Sequence, residues 1–389
     1  MDLNHPKVAL SFFEDRAIST YPSVLNTARI LSEHGYNVDL FVPSCMIDDT
    51  NIKNVRIISS GDGSVPSYIK HVSRMVKNKY DVLIAFSIEG LFVGSIINKF
   101  CFNEMPVIYF SMELIYKNYF VNSIRKTRSI PGVFTLKRIL WYFHLKSFGK
   151  YYVKFGIAQD DKRADLLREE FHFIKDIVIV PNSYIGFDNS LASQDIRKRF
   201  NISADRKILL FAGGMHEGLG TKLFSVMKEL DSAYVFFANV YCRDEYINKI
   251  KGMFSEEIKE GKIIVNDKNL NESDHLDLVK SSYLGVVWYS KIEKSNENMY
   301  FIGMSSGKLN RFLSCGVPVI LPDYFPGFVD LIAKCDVGEL CEDETTIPEA
   351  IHKIEKKHDL VSVNIKRYYL ENLEFGKNFH EVLKMIEKL

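Results

Sequence analysis

The sequence lacks paired cysteines and the residue spacings of metal sites. None of its cysteines forms a C-x-x-C pair, and none is spaced with histidine as zinc ligands are. Disulfide-stapled and zinc-finger classes are therefore not indicated. We expect the cysteines to be reduced and to serve mainly in packing, as in a cytoplasmic protein. They are Cys45, Cys101, Cys242, Cys315, Cys335 and Cys341.

The sequence also lacks a long hydrophobic run. The longest apolar stretch, residues 82–97, carries Glu89 in its middle and is too short to cross a bilayer. The N-terminus has no charged-then-apolar signal pattern, because residues 8–13 are typical of a short strand. We therefore expect a cytoplasmic protein without a transmembrane anchor.

One long segment lacks acidic residues. No residue between Glu113 and Asp160 is acidic, whereas nine lysines and arginines lie there. Since the chain has 50 basic and 49 acidic residues, the remainder carries 41 basic against 49 acidic residues. The segment is thus strongly cationic and the rest of the chain is mildly anionic.

The length and the order of predicted elements indicate two domains. The 389 residues suffice for two domains of ordinary size. Strands and helices alternate at a spacing typical of parallel sheets with helices on both faces. A polar stretch from Pro181 to about Asp205 indicates a linker. We predict an α/β protein with domains at residues 1–185 and 186–371, followed by a final helix at 372–389.

Residues 304–323 predict a loop, a short helix, a tight turn and a buried strand. Ser305, Ser306 and Gly307 precede the helix, and Gly316 ends it. A helix N-terminus at the carboxyl end of a parallel strand favours anion binding, and Lys308 adds a positive charge there. The alternative is one more βα unit without a ligand.

This stretch resembles the donor-binding segment of GT-B glycosyltransferases, whose pattern is S-x-K-L-x-E-Y-x-x-x-G-x-P-V-I. The matching residues are Ser306, Lys308, Leu309, Gly316, Pro318, Val319 and Ile320. The resemblance implies two Rossmann-like, doubly wound parallel-sheet domains facing a cleft. It implies that the first domain binds the acceptor, that the second binds a nucleotide-sugar donor, and that the final helix packs back on the first domain.

The resemblance also implies where the donor phosphate is held. Gly213 and Gly214 allow close backbone approach, and the amides of residues 305–307 with Lys308 hold the phosphate from the other side. The alternatives are a tight βα turn at the two glycines and a solvated charge at Lys308. We expect His216 beside the phosphate, although a neutral loop histidine is the alternative.

Two departures from the family pattern concern the donor. Common retaining members carry two glutamates eight residues apart, the second of which contacts the ribose hydroxyls, whereas Gly303 and Arg311 stand at these positions. The arginine and lysine that usually follow the first strand of the domain are also missing. Arg311 with Lys308 favours an anion, which suggests a nucleoside monophosphate donor or an acidic sugar. A plain surface role for Arg311 is the alternative. Glu297 and Glu293 are candidates for contacting sugar hydroxyls.

Glu113 is the candidate catalytic carboxylate. It follows a predicted strand of the first domain, where it can activate an acceptor hydroxyl or orient the sugar. Glu14, Asp15 and Glu89 end other strands on the same side and are alternatives. No Asp-x-Asp motif ends a strand, so we expect no metal and no other cofactor, with the helix dipole and lysine carrying the phosphate charge.

The cationic segment predicts a membrane-facing helix. Eleven aromatic residues accompany its nine cations, and a helix is expected from Thr135 to about Phe155. One stripe of this helix, at intervals of four, consists of Arg138, Tyr142, Lys146, Lys150 and Lys154. Such a helix suits an anionic membrane surface and a lipid-linked glycan acceptor. No nucleic-acid motif accompanies it. The alternative is a packed helix with a basic outer face.

These observations predict a glycosyltransferase at the inner face of the plasma membrane that assembles cell-surface polysaccharide, such as lipopolysaccharide or capsule. Two alternatives remain. One is an enzyme on the same fold that resembles nucleotide-sugar epimerases. The other is a non-catalytic GT-B partner subunit with a degenerate donor site.

Overall fold

The computed structural model of the chain divides into two compact units. It describes residues 6–13, 18, 21–42, 52–59, 65–100, 105–114, 143, 146–147, 149–193, 195–268, 270–292 and 297–389. Unit 1 comprises Met1–Ile185, Glu293–Phe301 and Phe375–Leu389, and unit 2 comprises Gly186–Ile292 and Ile302–Glu374. The chain therefore leaves unit 2 twice, once for a short internal segment and once for its C-terminal helix.

Unit 1 contains a parallel sheet with the strand order β3-β2-β1-β4-β5-β6-β7. Val8 pairs with Val38 on one side and with Val82 on the other. The strand order reverses beside β1, which is the doubly wound arrangement. The strands are β1 (Lys7–Ser11), β2 (Asn37–Val42), β3 (Val55–Ser59), β4 (Val82–Phe86), β5 (Val107–Phe110), β6 (Val153–Ala158) and β7 (Ile177–Ile179).

Unit 2 contains a second parallel sheet with the strand order β10-β9-β8-β11-β12-β13. Gly213 and Gly214, at the carboxyl end of β8, pair with Val240 and Tyr241 of β9. The strands are β8 (Lys207–Gly214), β9 (Tyr234–Tyr241), β10 (Ile263–Asn266), β11 (Leu284–Val286), β12 (Val319–Pro322) and β13 (Gly338–Cys341).

Helices connect these strands in both units. In chain order they are α1 (Pro22–Glu33), α2 (Val65–Asn78), α3 (Ser87–Phe100), α4 (Asp161–Glu170), α5 (Asp195–Arg199), α6 (Glu217–Met227), α7 (Asp244–Met253), α8 (Ser255–Lys259), α9 (Glu272–Lys280), α10 (Glu297–Tyr300), α11 (Gly307–Ser314), α12 (Pro326–Lys334), α13 (Ile347–Glu355), α14 (His358–Tyr368) and α15 (Phe375–Ile386). Short 3₁₀ turns lie at Gly149–Tyr151, Gly303–Ser305 and Glu344–Thr346.

Both faces of the unit 1 sheet are covered by apolar cores. Successive strand residues point to opposite faces, so Leu10 and Ile84 lie in one core and Ala9 and Leu83 in the other. Phe379 of α15 lies in the same core as Leu10. The C-terminal helix therefore packs on the sheet of unit 1.

The alternation of strands and helices predicted from the sequence is confirmed, with three differences in bounds. The pattern predicts a strand at 208–212 and a helix from 221, but β8 extends through Gly214 and α6 begins at Glu217. The helix predicted from Thr135 to about Phe155 is wrong at its end, because Val153–Ala158 is a buried strand paired with β5. The helix predicted at 364–386 is interrupted by a π-turn at Tyr369–Leu373.

None of the helices in the described ranges combines the length and the apolar character that a bilayer crossing requires. Four described cysteines, Cys242, Cys315, Cys335 and Cys341, are free thiols.

Candidate functional site

The N-terminus of α11 is fixed by Ser306. The Ser306 hydroxyl accepts a hydrogen bond from the Leu309 N–H at 3.3 Å, which caps the helix as its sequence predicts. The same hydroxyl shares a 2.8 Å hydrogen bond with the Tyr289 hydroxyl. Ser305 instead donates its hydroxyl to the Ile302 carbonyl. Because an α-helix leaves its first N–H groups without intrahelical partners, the Gly307 and Lys308 amides mark the tip of α11.

Lys308 places its ammonium group between aromatic rings. Its Nζ lies 4.1 Å from the ring centre of Tyr289 and 4.9 Å from that of Phe211. No carboxylate of the described residues lies within ion-pair distance of this group. Burial lowers the pKa of Lys308 to about 7. The rings favour the charged form and so oppose part of this decrease. An incoming anion would supply the missing counter-charge.

Gly213 makes room for Lys308. A Cβ atom at residue 213 would lie 3.2 Å from both Cε and Nζ of Lys308. The φ of Gly213 is +131°, a value that side-chain-bearing residues rarely adopt. At Gly214 no such neighbour lies within 4 Å, so that position faces open space. The structure therefore brings together Gly213, Lys308 and the tip of α11.

His216 serves as the N-cap of α6. Its Nδ1 accepts a hydrogen bond from the Leu219 N–H at 3.4 Å, and its Nε2 lies 2.7 Å from the Ser290 hydroxyl. Since Nδ1 is the acceptor, these contacts assign the proton of a neutral ring to Nε2. The exposed ring thus joins the loop after β8 to the loop after β11.

Arg311 is paired with a carboxylate from a different helix. Its side chain is buried and forms an ion pair with Glu272, in the first turn of α9. Burial, with a smaller contribution from the Arg311 charge, lowers the pKa of His275 to about 4. Arg311 is therefore neither a plain surface residue nor the bare positive charge beside Lys308 that its sequence position suggests.

In unit 1, Glu113 lies exposed in the loop after β5. The loop is held by Arg163, which is 1% exposed and donates to the Met112 carbonyl at 3.1 Å. Arg163 also donates to Gln159 Oε1 at 2.8 Å and to Asn298 Oδ1 at 3.0 Å. The Leu114 N–H donates to the same Asn298 oxygen at 3.0 Å.

The sequence analysis did not find this arginine anchor. The available signal was Asp160, whose side chain caps α4 by accepting from the Arg163 N–H at 2.8 Å. That cap predicts a helix start at which Arg163 lies close to the carboxyl end of the sheet.

Three solved structures resemble the chain over nearly its whole length. A sucrose-phosphate synthase from Thermosynechococcus elongatus gives a TM-score of 0.68 at 13% identity, covering 99% of each chain. HepE from Anabaena, solved with UDP and glucose, gives 0.66 at 13% identity, covering 99% of this chain and 100% of HepE. WaaG, a glycosyltransferase involved in lipopolysaccharide biosynthesis, gives 0.63 at 13% identity, covering 97% and 99%. Neither a protein-family model nor a curated protein sequence matches the chain.

The chain has the GT-B fold. The predicted fold class is thereby confirmed. Since the identities are low, the likeness concerns the fold, and the site residues of this GT-B chain are judged from their own contacts.

Glu297, on α10, belongs to unit 1 of the GT-B fold, whereas Lys308 belongs to unit 2. Burial raises the pKa of Glu297, and the charges of Glu169 and Glu170 raise it further. Glu89 is buried in the first turn of α3. The alternatives Glu14, Asp15 and Glu293 lie outside the described residues.

Only part of the cationic segment lies in the described residues. Arg138 lies outside them. Lys146 forms a 3.0 Å ion pair with Glu170, and the exposed Lys150 lies 4.9 Å from the ring centre of Tyr151. Lys154 is exposed but lies on β6, so it does not continue a helical stripe.

Within the described ranges, no cluster of three or more histidine, cysteine, aspartate or glutamate side chains has the geometry of a metal site.

Proposed function

We propose that the protein is a glycosyltransferase that moves a sugar from a nucleotide-activated donor to a saccharide acceptor. Its main support is the Lys308 ammonium, which lies beside Gly213 at the tip of α11 without a carboxylate partner within ion-pair distance. A partly buried cation with a pKa lowered to about 7 is matched to a ligand that carries negative charge. The fold shared with HepE, which was solved with UDP and glucose, supports a nucleotide-sugar as that ligand.

The chemistry follows from where charge develops. The bond between the anomeric carbon and the donor phosphate oxygen breaks through an oxocarbenium-like state, and the electron pair leaves with the phosphate. Lys308 and the amides at the tip of α11 would stabilise this increased negative charge without a metal ion. Gly213 and Gly214 would let the backbone approach the phosphate closely.

Glu113 is the proposed acceptor-side carboxylate. It is exposed at the carboxyl end of β5, and Arg163 fixes the carbonyl of the preceding residue. A carboxylate there would accept the proton of the attacking hydroxyl as the new glycosidic bond forms. Glu297 remains a candidate for contacts to the sugar hydroxyls.

The proposal extends to the acceptor and the location. We propose a lipid-linked glycan acceptor, cell-surface polysaccharide as the product, and peripheral attachment to the inner face of the plasma membrane. The acid-free, aromatic-rich segment between Glu113 and Asp160 supports attachment to anionic lipid. The fold shared with WaaG, whose title names lipopolysaccharide biosynthesis, supports the product class.

The donor is tested by binding and turnover. Calorimetry of the full chain with UDP, GDP, ADP and CDP should give clear binding for one nucleoside family, and the matching nucleotide-sugar should be turned over. Lys308→Met should weaken binding at least about tenfold, because one charge-assisted phosphate contact is lost. Lys334→Met, on the exposed end of α12, is the matched control and should bind normally.

Absence of binding by the wild-type chain to every nucleotide would contradict the proposal. That outcome would favour the non-catalytic partner subunit instead. Binding with release of free sugar but no transfer to any acceptor would favour the epimerase-like alternative.

Membrane attachment is tested by flotation with vesicles. The wild-type chain should float with vesicles containing about one third phosphatidylglycerol and not with phosphatidylcholine alone. Lys150→Glu combined with Lys154→Glu should reduce flotation, because each basic residue near such a surface contributes about 1 kcal/mol. Lys334→Glu combined with Lys356→Glu, in unit 2, makes the same charge change as a control. Equal loss in both double variants would show that net charge, and not this segment, governs binding.

A further inference from the structure

The ion pair between Arg311 and Glu272 is asymmetric in exposure. The Arg311 side chain is 8% exposed, whereas the Glu272 side chain is 61% exposed. A carboxylate that only neutralised a buried guanidinium would be expected to lie buried with it. The exposed carboxylate keeps acceptor positions open to solvent while Arg311 fixes its orientation.

An exposed aromatic ring lies in the same part of unit 2. Tyr241 is 49% exposed at the carboxyl end of β9 and is the direct strand partner of Gly214. Burial raises the pKa of the Tyr241 hydroxyl, the Asn239 amide lowers it, and the Glu272 charge raises it. Tyr241, Asn239 and Glu272 are therefore neighbours at this edge of the sheet.

A buried amide near this ring lacks a regular hydrogen bond. Asn239 is 1% exposed, and its Oδ1 accepts from Asn266 Nδ2 at 2.7 Å. Its Nδ2 is close enough to influence Tyr241 but has no partner of normal hydrogen-bond geometry among the described residues. Buried polar atoms without partners are uncommon, and a bound ligand is one way to satisfy them.

The spacing on α11 relates this group to the phosphate site. Lys308 and Arg311 are three residues apart, so they lie on one helix face, separated by a rise of about 4.5 Å. That separation is comparable to the distance from the 5′-phosphate of a nucleotide to its ribose hydroxyls. A nucleotide whose phosphate contacts Lys308 can therefore present its ribose to Glu272.

We propose that Glu272 accepts hydrogen bonds from the ribose hydroxyls of the donor nucleotide, with Arg311 as the positioning residue and the Tyr241 ring packing against the base. This inference rests on the proposed function and names the part of the donor that the site discriminates. A carboxylate is a bidentate acceptor matched to a diol, and a site built around such an acceptor rejects an analogue that lacks one hydroxyl.

The experiment compares ribose with deoxyribose. The ribonucleoside diphosphate that binds best is titrated into the full chain by calorimetry, followed by its 2′-deoxy analogue and by inorganic pyrophosphate. The wild-type chain should prefer the ribose form by about tenfold or more. Glu272→Gln should bring this ratio to within about twofold while leaving pyrophosphate affinity unchanged, because pyrophosphate contacts only the Lys308 part.

Matched variants separate recognition from structural damage. Arg311→Met should also lower the ratio, because Glu272 is then no longer held in place. Tyr241→Ala should weaken both nucleotides equally and leave pyrophosphate unaffected. Glu256→Gln, an exposed glutamate on α8, should behave as wild type. Circular dichroism and the thermal midpoint show whether each variant is folded.

Each failure has a distinct meaning. If Glu272→Gln is folded and keeps the wild-type ratio, the assignment of Glu272 is wrong although the protein still binds a nucleotide. If the wild-type chain binds pyrophosphate as tightly as every nucleoside diphosphate, there is no nucleoside subsite and the inference fails. If it binds neither, the proposed function fails as well.

Discussion

The Lys308 ammonium lies 4.1 Å from the ring centre of Tyr289, and the hydroxyl of that tyrosine is hydrogen-bonded to Ser306, the N-cap of the same helix. The aromatic ring thus connects the cation to the helix tip. This arrangement holds a lysine of lowered pKa where an anion would meet both the ammonium and the first amides of α11.

Nucleotide binding should be linked to proton uptake. Because the pKa of Lys308 in the free protein is about 7, much of the lysine is neutral at pH 8, and an anion raises its pKa. Affinity should therefore fall by up to tenfold per pH unit above pH 7. Calorimetry at pH 8 in two buffers of different ionisation enthalpy should show uptake of close to one proton.

Lys308→Arg is the control for this linkage. A guanidinium remains charged throughout this range, so any binding that the variant retains should vary little between pH 7 and 9. An equal pH dependence in this variant would mean that another group, not Lys308, takes up the proton.

Lys308→Met should stabilise the protein while removing its binding. The folded-state pKa is lowered from 10.5 to about 7, so below pH 7 the folded chain holds a desolvated charge. That penalty is full below pH 7 and declines as pH rises from 7 to 10.5, where the folded lysine is already neutral. We expect a gain on the order of 1 kcal/mol at pH 6, since the aromatic contacts offset part of the penalty, and a smaller gain at pH 9.

Urea denaturation at pH 6 and pH 9 measures this difference. Lys334→Met, whose lysine is exposed, should show no such change with pH. A loss of stability in Lys308→Met at pH 6 would show that the aromatic contacts outweigh the burial of the charge.

The sequence predicted the helix start at residues 306–307 because the evidence for it is local. Ser306 precedes residues of helical periodicity, so both the cap and the buried face of α11 follow from adjacent residues. The departures at Gly303 and Arg311 were also visible in the sequence, but their physical reasons were not. A Cβ at Gly327 would lie 2.6 Å from the Gly303 Cα, which indicates very close packing at that position.

Contacts between distant residues could not be predicted in the same way. Arg311 meets Glu272 across 39 residues, and Arg163 meets Asn298 across 135. Nothing in the local spacing indicates which carboxylate or carbonyl a given arginine will reach. The strand at Val153–Ala158 was mistaken for the end of a helix because lysines four residues apart suit a helical stripe, while pairing with β5 determines the outcome.

Gly213→Ala should weaken nucleotide binding and lower stability. The new Cβ would lie 3.2 Å from the Lys308 Nζ, and the φ of +131° is strained for alanine. The flexible lysine would move aside, so we expect at least a tenfold loss of affinity together with a loss of about 1–3 kcal/mol in the free energy of unfolding. Calorimetry and urea denaturation measure the two effects.

Gly252→Ala provides the matched control. Nothing lies within 4 Å of its Cβ position on α7, so this substitution should stabilise the helix by about 0.5–1 kcal/mol. Unchanged affinity in Gly213→Ala would show that the position of Lys308 does not depend on this glycine.

Arg163→Met should damage the acceptor side of the enzyme while leaving donor affinity unchanged. The variant leaves the carbonyl of Met112 and the side-chain oxygens of Gln159 and Asn298 without this donor. Loss of a buried charged hydrogen-bonding group should cost about 3 kcal/mol of stability. The loop that carries Glu113 would be less well fixed, so we expect kcat for transfer to fall at least about tenfold with the nucleotide Kd unchanged. Arg168→Met, on the same helix, removes only an exposed ion pair with Asp165 and should change stability by less than about 0.5 kcal/mol. If Arg163→Met lost stability but kept wild-type kcat, the loop anchored by Arg163 would have no role in orienting Glu113.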